Sequence, residues 1–197
     1  MLFAIAVVGP AGSGKSTVAR ELARRAGAVY LDKDTLAGPL VEAALAASGN
    51  ESSDRESNEY YRTHVMPAEY TSLFAVAGDN LRLGHPVVID APFAAYLDSP
   101  AFFARSATHG RWPDSPVFVL RVLAPEAVVK ARLRERGLER DAVKLRDWDA
   151  FWRTWGSTRV AWTGVRVLDL PNHDSVTDVD AVLEQIHEAG GERPDTE

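Results

Sequence analysis

Short runs that are apolar at nearly every position alternate with longer stretches whose apolar residues recur every three to four positions. The runs are LFAIAVV (2–8), AVYL (28–31), PVVID (86–90), PVFVLRV (116–122) and VRVLDL (165–170). A continuous apolar run of this length predicts a strand covered on both faces. The periodic stretches predict helices. Residues 16–26 place Val18, Leu22 and Ala26 on one face, with Gly27 as the stop. Residues 35–47 place Leu36, Leu40, Ala44 and Ala47 on one face, with Gly49 ending the helix. A third helix starts near Tyr60 or at Pro67 and runs to Leu83, before Gly84. Further helices are expected from about Ser99-Pro100, over 125–136 with Pro125 in the first turn, over 148–158 and over 176–189. Residues 50–58 are a polar connector without periodicity, and residues 190–197 read as a frayed tail. Strand and helix alternate throughout, which predicts an α/β fold with a parallel sheet between helical layers. The 197 residues suffice for one such domain, residues 1–189, and are short for two.

Composition narrows the setting. There is no cysteine, so a disulfide framework and a thiolate-bound metal are excluded. No apolar run reaches the length of a membrane span, and residues 2–8 lack the basic segment that precedes a secretory leader. These features lead us to expect a cytoplasmic protein without a membrane partner. The net charge of −6 argues against a general nucleic-acid binder, although a local basic patch remains open.

Residues 9–16, GPAGSGKS, match G-x-x-x-x-G-K-[ST] between a predicted strand and a predicted helix. Gly9, Gly12 and Gly14 let the backbone approach phosphate oxygens closely. The amides around residues 12–17, Ser13 among them, and the helix N-terminus offer donors to anions. Lys15 is placed to reach the β- and γ-phosphates, Ser16 to give a hydroxyl to Mg²⁺, and Thr17 to meet the α-phosphate. Lys15 is one of only four lysines in the chain. The expected ligand is ATP or GTP with Mg²⁺.

Three classes use such a loop: switches, motors and phosphotransferases. Neither N-K-x-D nor D-x-x-G, the marks of a GTPase switch, occurs in the chain. The strand ending VVID is followed by Ala-Pro, not by the water-polarising Glu of a motor ATPase. A phosphotransferase needs an acid beside the acceptor hydroxyl and cations around the moving phosphoryl group. YLDKDTL (30–36) offers Asp32 and Asp34 at the carboxyl end of the second strand, the edge where open α/β sheets bind ligands. A plainer role for Asp34 is to cap the helix starting near Thr35, and both roles can coexist.

GPAGSGKST together with YLDKDTL resembles the small-molecule and polynucleotide kinases of the P-loop kinase superfamily, including gluconate kinase, shikimate kinase, chloramphenicol phosphotransferase and polynucleotide 5′-kinase. RGLERDAVKLRDWDAFW also resembles a segment of P-loop ATPases known only as kinase-like. The resemblance implies a three-layer fold with five parallel strands in the order 2-3-1-4-5 and a helical lid. It implies that Asp34 is the catalytic base, with Asp32 on the Mg²⁺ side and Asp90 as a Walker B-like acid. The lid falls at about 132–147, where Arg132, Arg136 and Arg140 are the candidate phosphate contacts; a solvated helix laced by Glu135 and Glu139 is the alternative. The acceptor region falls at about 35–66 and 91–100, with Arg55, Tyr60, Tyr61, Arg62, His64, Phe93 and Tyr96 as candidate contacts. DLPNHD (169–174) would hold the adenine by backbone groups, with His173 a weak candidate. Trp148, Trp152, Trp155 and Trp162 read as packing.

The implied acceptor is a hydroxyl on a small polar metabolite, sugar-like molecule or antibiotic. Polynucleotide kinases carry an arginine three residues after the acid, where this chain has Ala37, and the glycine triplet of shikimate kinase is replaced by DAPF. A regulator or slow ATPase without an acceptor, and a polynucleotide 5′-hydroxyl kinase, are the alternatives. The oligomeric state is open, a homodimer included.

Overall fold

The computed structural model describes residues 1–50, 55, 58–156, 158–173 and 178–191. Five strands form one sheet: β1 (Ala4–Val8), β2 (Val29–Asp32), β3 (Val87–Asp90), β4 (Val117–Leu123) and β5 (Arg166–Pro171). They run in the order β2-β3-β1-β4-β5, and every neighbouring pair is parallel. Parallel neighbours need crossovers, and helices supply them. These are α1 (Lys15–Ala26), α2 (Lys33–Ala47), α3 (Met66–Arg82), α4 (Phe102–His109), α5 (Glu126–Arg136), α6 (Glu139–Arg146), α7 (Trp148–Trp155) and α8 (Val179–Gly191). A single π-turn, Tyr61–Val65, leads into α3.

Alternation along β1 divides the core between the two sheet faces. Ala4, Ala6 and Val8 join Leu31, Val87 and Ile89 against Leu73, Phe74, Ala77 and Leu81 of α3. Ile5 and Val7 join Val88, Phe118 and Leu120 against Val18 and Leu22 of α1 and Val182 and Ile186 of α8. Helices therefore cover both faces in three layers, the arrangement expected from the sequence. On the α3 side, Phe74, Phe93, Phe102, Phe103, Trp112 and Trp162 form an edge-to-face aromatic cluster.

Several boundaries and faces differ from expectation. The second helix begins at Lys33, and its cap is Asp32, whose Oδ1 accepts from the amides of Asp34 (2.8 Å) and Thr35 (3.1 Å). Asp34 lies inside the first turn, so it is not the cap. The buried face of α2 is Ala37, Val41 and Leu45, while Leu40 is 72% exposed. KDTLAGPLVEAALAA is apolar around nearly its whole circumference, so spacing alone could not choose the face. The helix expected over 125–136 is found as α5, closed by Gly137 in the left-handed conformation at φ 61°; α6 starts anew two residues on, so Arg140 does not continue the face of Arg132 and Arg136. Gly190 and Gly191 still belong to α8, and the rest of the expected tail, 192–197, lies outside the described residues, as does most of the connector 50–58.

Candidate active site

The phosphate loop joins β1 to α1 at the carboxyl edge of the sheet. Gly14 occupies the N-cap position at φ 89°, and a β-carbon there would overlap the Asn172 amide. Gly9 is needed for a different reason: a β-carbon would lie 2.7 Å from Ser13 Oγ and 2.8 Å from the Val122 carbonyl. No side chain caps α1, and its first turn holds no acid. Its amides therefore face the cleft without a competing carboxylate, as an anion site requires. The cleft, about 210 Å³, is lined by Pro10, Gly12, Gly14, Lys15, Ser16, Thr17, Arg132 and Arg136.

The buried Ser13 carbonyl is held by two donors from distant parts of the chain. Asn172 Nδ2 donates to it at 2.7 Å and Arg132 Nη1 at 3.1 Å, and Arg132 also reaches the Asn172 carbonyl at 3.2 Å. Asn172 is in turn fixed by its own amide, which donates to the Leu123 carbonyl at 2.6 Å. Arg132 thus braces the loop while facing the cleft.

Across β1 stand the acids. Asp32 and Asp90 are register partners at the ends of β2 and β3. Both accept from one phenol: Tyr30 Oη is 3.1 Å from Asp32 Oδ2 and 2.9 Å from Asp90 Oδ2. Partial burial, followed by the charge of Asp90, raises the Tyr30 phenol far above its ordinary range, so it remains a donor. Arg20 of α1 lies over the Tyr30 ring at 5.6 Å. Asp34 follows one residue after Lys33 and is half exposed at the same edge. Lys33 itself is buried. Its ammonium is 2.7 Å from Glu69 Oε1 and 3.4 Å from Asp34 Oδ1, and Tyr61 donates to the other Glu69 oxygen at 2.7 Å. Both members of the Lys33–Glu69 pair are almost wholly removed from water, and such a pair holds only while both partners remain.

On the other side of the cleft, α5 brings Arg132 and Arg136 to its wall, and α6 follows it. Arg136, at the end of α5, donates from Nε (2.9 Å) and Nη2 (2.6 Å) to Asp141 Oδ2 in α6. Val129 and Leu133 of α5 pack on Trp148 and Phe151 of α7, and Lys130 lies over the Trp148 ring at 5.0 Å.

The profile of a family described as "AAA domain" matches residues 5–155, about three quarters of the chain. The chain belongs to this AAA-domain family. Among solved structures it is similar to a candidate kinase from Chloroflexus aurantiacus, at 20% identity and a TM-score of 0.65, with 96% of this chain and 97% of that one covered. It is also similar to a sugar kinase from Janibacter, at 16% identity and a TM-score of 0.59, covering 95% and 94%. The APS kinase of Mycobacterium tuberculosis aligns at 17% identity and a TM-score of 0.56, covering 95% and 96%. At these identities the likeness establishes the fold, which is that of P-loop kinases. A search of curated proteins finds no match.

In this AAA-domain chain the fold gathers Gly9, Gly12, Ser13, Gly14, Lys15, Ser16 and Thr17 at one loop, with Arg132 and Arg136 beside them, Asp32 and Asp90 at the neighbouring strand ends and Asp34 in the first turn of α2. Arg140 lies in α6, on a different helix from Arg136, and its side chain lies outside the described residues. Two candidate acceptor contacts are core residues instead. Phe93 is fully buried, with its backbone in the left-handed region at φ 54° and its amide bonded to Tyr70 Oη at 3.0 Å. Tyr61 is buried against Glu69. Tyr96 stacks on Phe102 at 4.1 Å, while Tyr60 and His64 stack on each other and Arg55 pairs with Glu42 at 3.4 Å. Arg62 and His173 are exposed. Trp148 and Trp162 are buried in the packing, Trp152 stacks on Trp148, and Trp155 is 38% exposed.

Sequence reasoning missed Tyr30, Lys33, Glu69, Asp141 and Asn172. One of these left a signal: Glu69 occupies the apolar stripe 69-73-77-81 of α3, where a lone charge demands a partner. Among the described residues no three His, Asp or Glu side chains are arranged to hold a metal. Asp32 spends both oxygens on amides and on Tyr30, and Asp90 gives one to Tyr30. That donor set fits a Mg²⁺ bound by Ser16 and phosphate oxygens, with the two carboxylates acting on its waters. No helix among the described residues is long and apolar enough to cross a membrane.

Proposed function

We propose that this protein is a phosphotransferase that moves the γ-phosphoryl group of ATP or GTP to a hydroxyl on a small polar metabolite, sugar-like molecule or antibiotic. The observation that carries the reading is the half-exposed Asp34 carboxylate in the first turn of α2, just past the end of β2 and on the same sheet edge as the uncapped N-terminus of α1. The likeness to a protein described as a sugar kinase is in keeping with a hydroxyl acceptor.

Each residue has a task in this reading. The amides of residues 12–17 and Lys15 bind the phosphate chain and hold it in line. Arg136 reaches the same oxygens from the lid. Ser16 would hold Mg²⁺, which neutralises charge on the β- and γ-oxygens when bound. Asp32 and Asp90, aligned by Tyr30, orient the waters around it. Asp34 accepts the hydroxyl proton as the acceptor oxygen attacks. The aromatic and polar side chains of α2, the π-turn and the loop after β3 shape the acceptor space.

The test is a mass-spectrometric screen of a metabolite library incubated with the protein, MgATP or MgGTP. One compound is expected to gain a phosphate, and Asp34→Asn should slow that reaction by several orders of magnitude while nucleotide binding stays near wild type. Hydrolysis that ignores every added hydroxyl compound would instead fit a regulator or slow ATPase. Salt-sensitive phosphorylation of oligonucleotides would fit a polynucleotide kinase.

A further inference from the structure

Arg136 belongs to α5, yet what holds it belongs to α6. Asp141 is 1% exposed, and its Oδ2 takes both Nε and Nη2 of Arg136. The grip crosses the break at Gly137, so a helix break and a side-chain tie coincide. Asp141 Oδ1 has no hydrogen-bond partner, and the Lys144 ammonium lies 3.8 Å from it. Burying a carboxylate in this way is costly unless its charge is used. If the two helices needed only a fastening, an apolar pair would serve at lower cost.

The geometry says what the charge is used for. Contact through Nε fixes the plane of the guanidinium, since Nε is the last atom of the flexible stem. The pair engages one edge of a group with five donors and leaves the Nη1 edge to other partners. Arg136 lines the cleft with Lys15, Ser16 and Thr17. One turn earlier, Arg132 is fixed in the same wall by a different device, two backbone carbonyls. The cleft thus has two arginines ordered in advance of any ligand. Ordering a long side chain beforehand removes that cost from binding.

We propose that Asp141 is a positioning residue: it holds the Arg136 guanidinium toward the phosphate loop, ready for the outer phosphates of a nucleoside triphosphate. The proposal rests on the nucleotide reading above and deepens it, because it names the lid contact and what sets that contact.

The experiment is calorimetric titration with MgATP, with AMP as the control, on the full chain. Asp141→Asn is expected to weaken MgATP binding about tenfold, the loss of one charge-assisted contact, and to leave AMP binding unchanged. Arg136→Gln should weaken MgATP binding by a similar factor. The double variant should be no weaker than Arg136→Gln alone, since Asp141 acts only through that arginine. Multiplied losses in the double variant would mean a purely structural role and overturn the proposal. Unchanged or tighter MgATP binding in Asp141→Asn would overturn it too, the latter marking a tie that withholds the arginine. If Asp141→Asn does not fold, Arg136→Gln still decides: wild-type affinity for MgATP in that variant sinks the proposal. MgATP binding to the wild-type chain that Lys15→Ala weakens about a hundredfold supports the nucleotide reading independently, so failure of the Asp141 series alone counts against this inference only.

Discussion

The two halves of the site are built from different materials. The nucleotide half is backbone: nine consecutive residues, three glycines and the free end of a helix. The half proposed to meet an acceptor is built of side chains brought together from far apart. Lys33 meets Glu69 across 36 positions, and Tyr30 meets Asp90 across 60. The first half therefore depends mainly on local conformation, with Arg132 and Asn172 bracing the loop from afar, and the second on long-range ion pairs and hydrogen bonds being complete. Damage should follow the same division, with affinity lost on one side and stability on the other.

The sharpest way to break this comparison is at Lys33. Lys33→Met leaves Glu69 charged and buried, and should cost about 3–5 kcal/mol in chemical denaturation. Lys33→Met with Glu69→Gln removes both charges and keeps an acceptor for Tyr61, so most of that loss should return. If the double variant is as unstable as the single one, the buried pair is not what sets the cost. Next in size is Lys15→Ala, expected to weaken MgATP binding on the order of a hundredfold while the denaturation midpoint hardly moves. A large stability loss in that variant would erase the contrast.

Alkaline pH offers a graded test. All five tyrosines lie between residues 30 and 96, on the side of the sheet proposed to meet an acceptor. Burial, with nearby acidic charge, raises the phenols of Tyr30, Tyr61 and Tyr96, and burial raises that of Tyr70. A raised phenol in the folded state stabilises the fold below the unfolded tyrosine value, about 10, and that contribution is lost as pH rises beyond it. Phenolate absorbance should therefore lag behind that of free tyrosine until unfolding begins. Hydrogen exchange should quicken first in β2, α2 and α3, and earlier opening of α1 and β4 would contradict the division. The smallest effect concerns the exposed face of α2, set against its buried one. Leu40→Ala should change stability by no more than about 0.5 kcal/mol. Leu45→Ala, at a fully buried position, should cost about 2–5 kcal/mol.

The same contrast explains what could be read in advance. GPAGSGKS declares itself because a phosphate loop is a contiguous pattern whose glycines and lysine have fixed spacing. The five strands were legible as apolar runs, and the layered parallel sheet followed from their alternation with helices. The pairing of Lys33 with Glu69 was not legible, because no local pattern encodes which residues a crossover brings together. Asp32 rather than Asp34 caps α2 because β2 runs directly into the helix, and this shift of two residues decides which carboxylate is spent on amides. Asp141 was hidden for a related reason. Its partner lies five residues away, but only the break at Gly137 turns the two helices toward each other. Asn172 sits in the anticipated DLPNHD segment, yet the grip of its side chain on Ser13 depends on β5 lying two strands from β1.

The sheet order has a consequence for how such a protein can change over generations. β1 stands in the middle, with β3 and β2 on one side and β4 and β5 on the other. The residues proposed to meet an acceptor stem from the first side, and Asn172 and the lid arginines from the second. Under the proposed function, a lineage can trade one acceptor for another by changes in β2, α2 and α3 while the donor half is inherited intact. Relatives of this chain should then differ most in residues 33–70, and a chimera that exchanges that segment should carry acceptor choice with it.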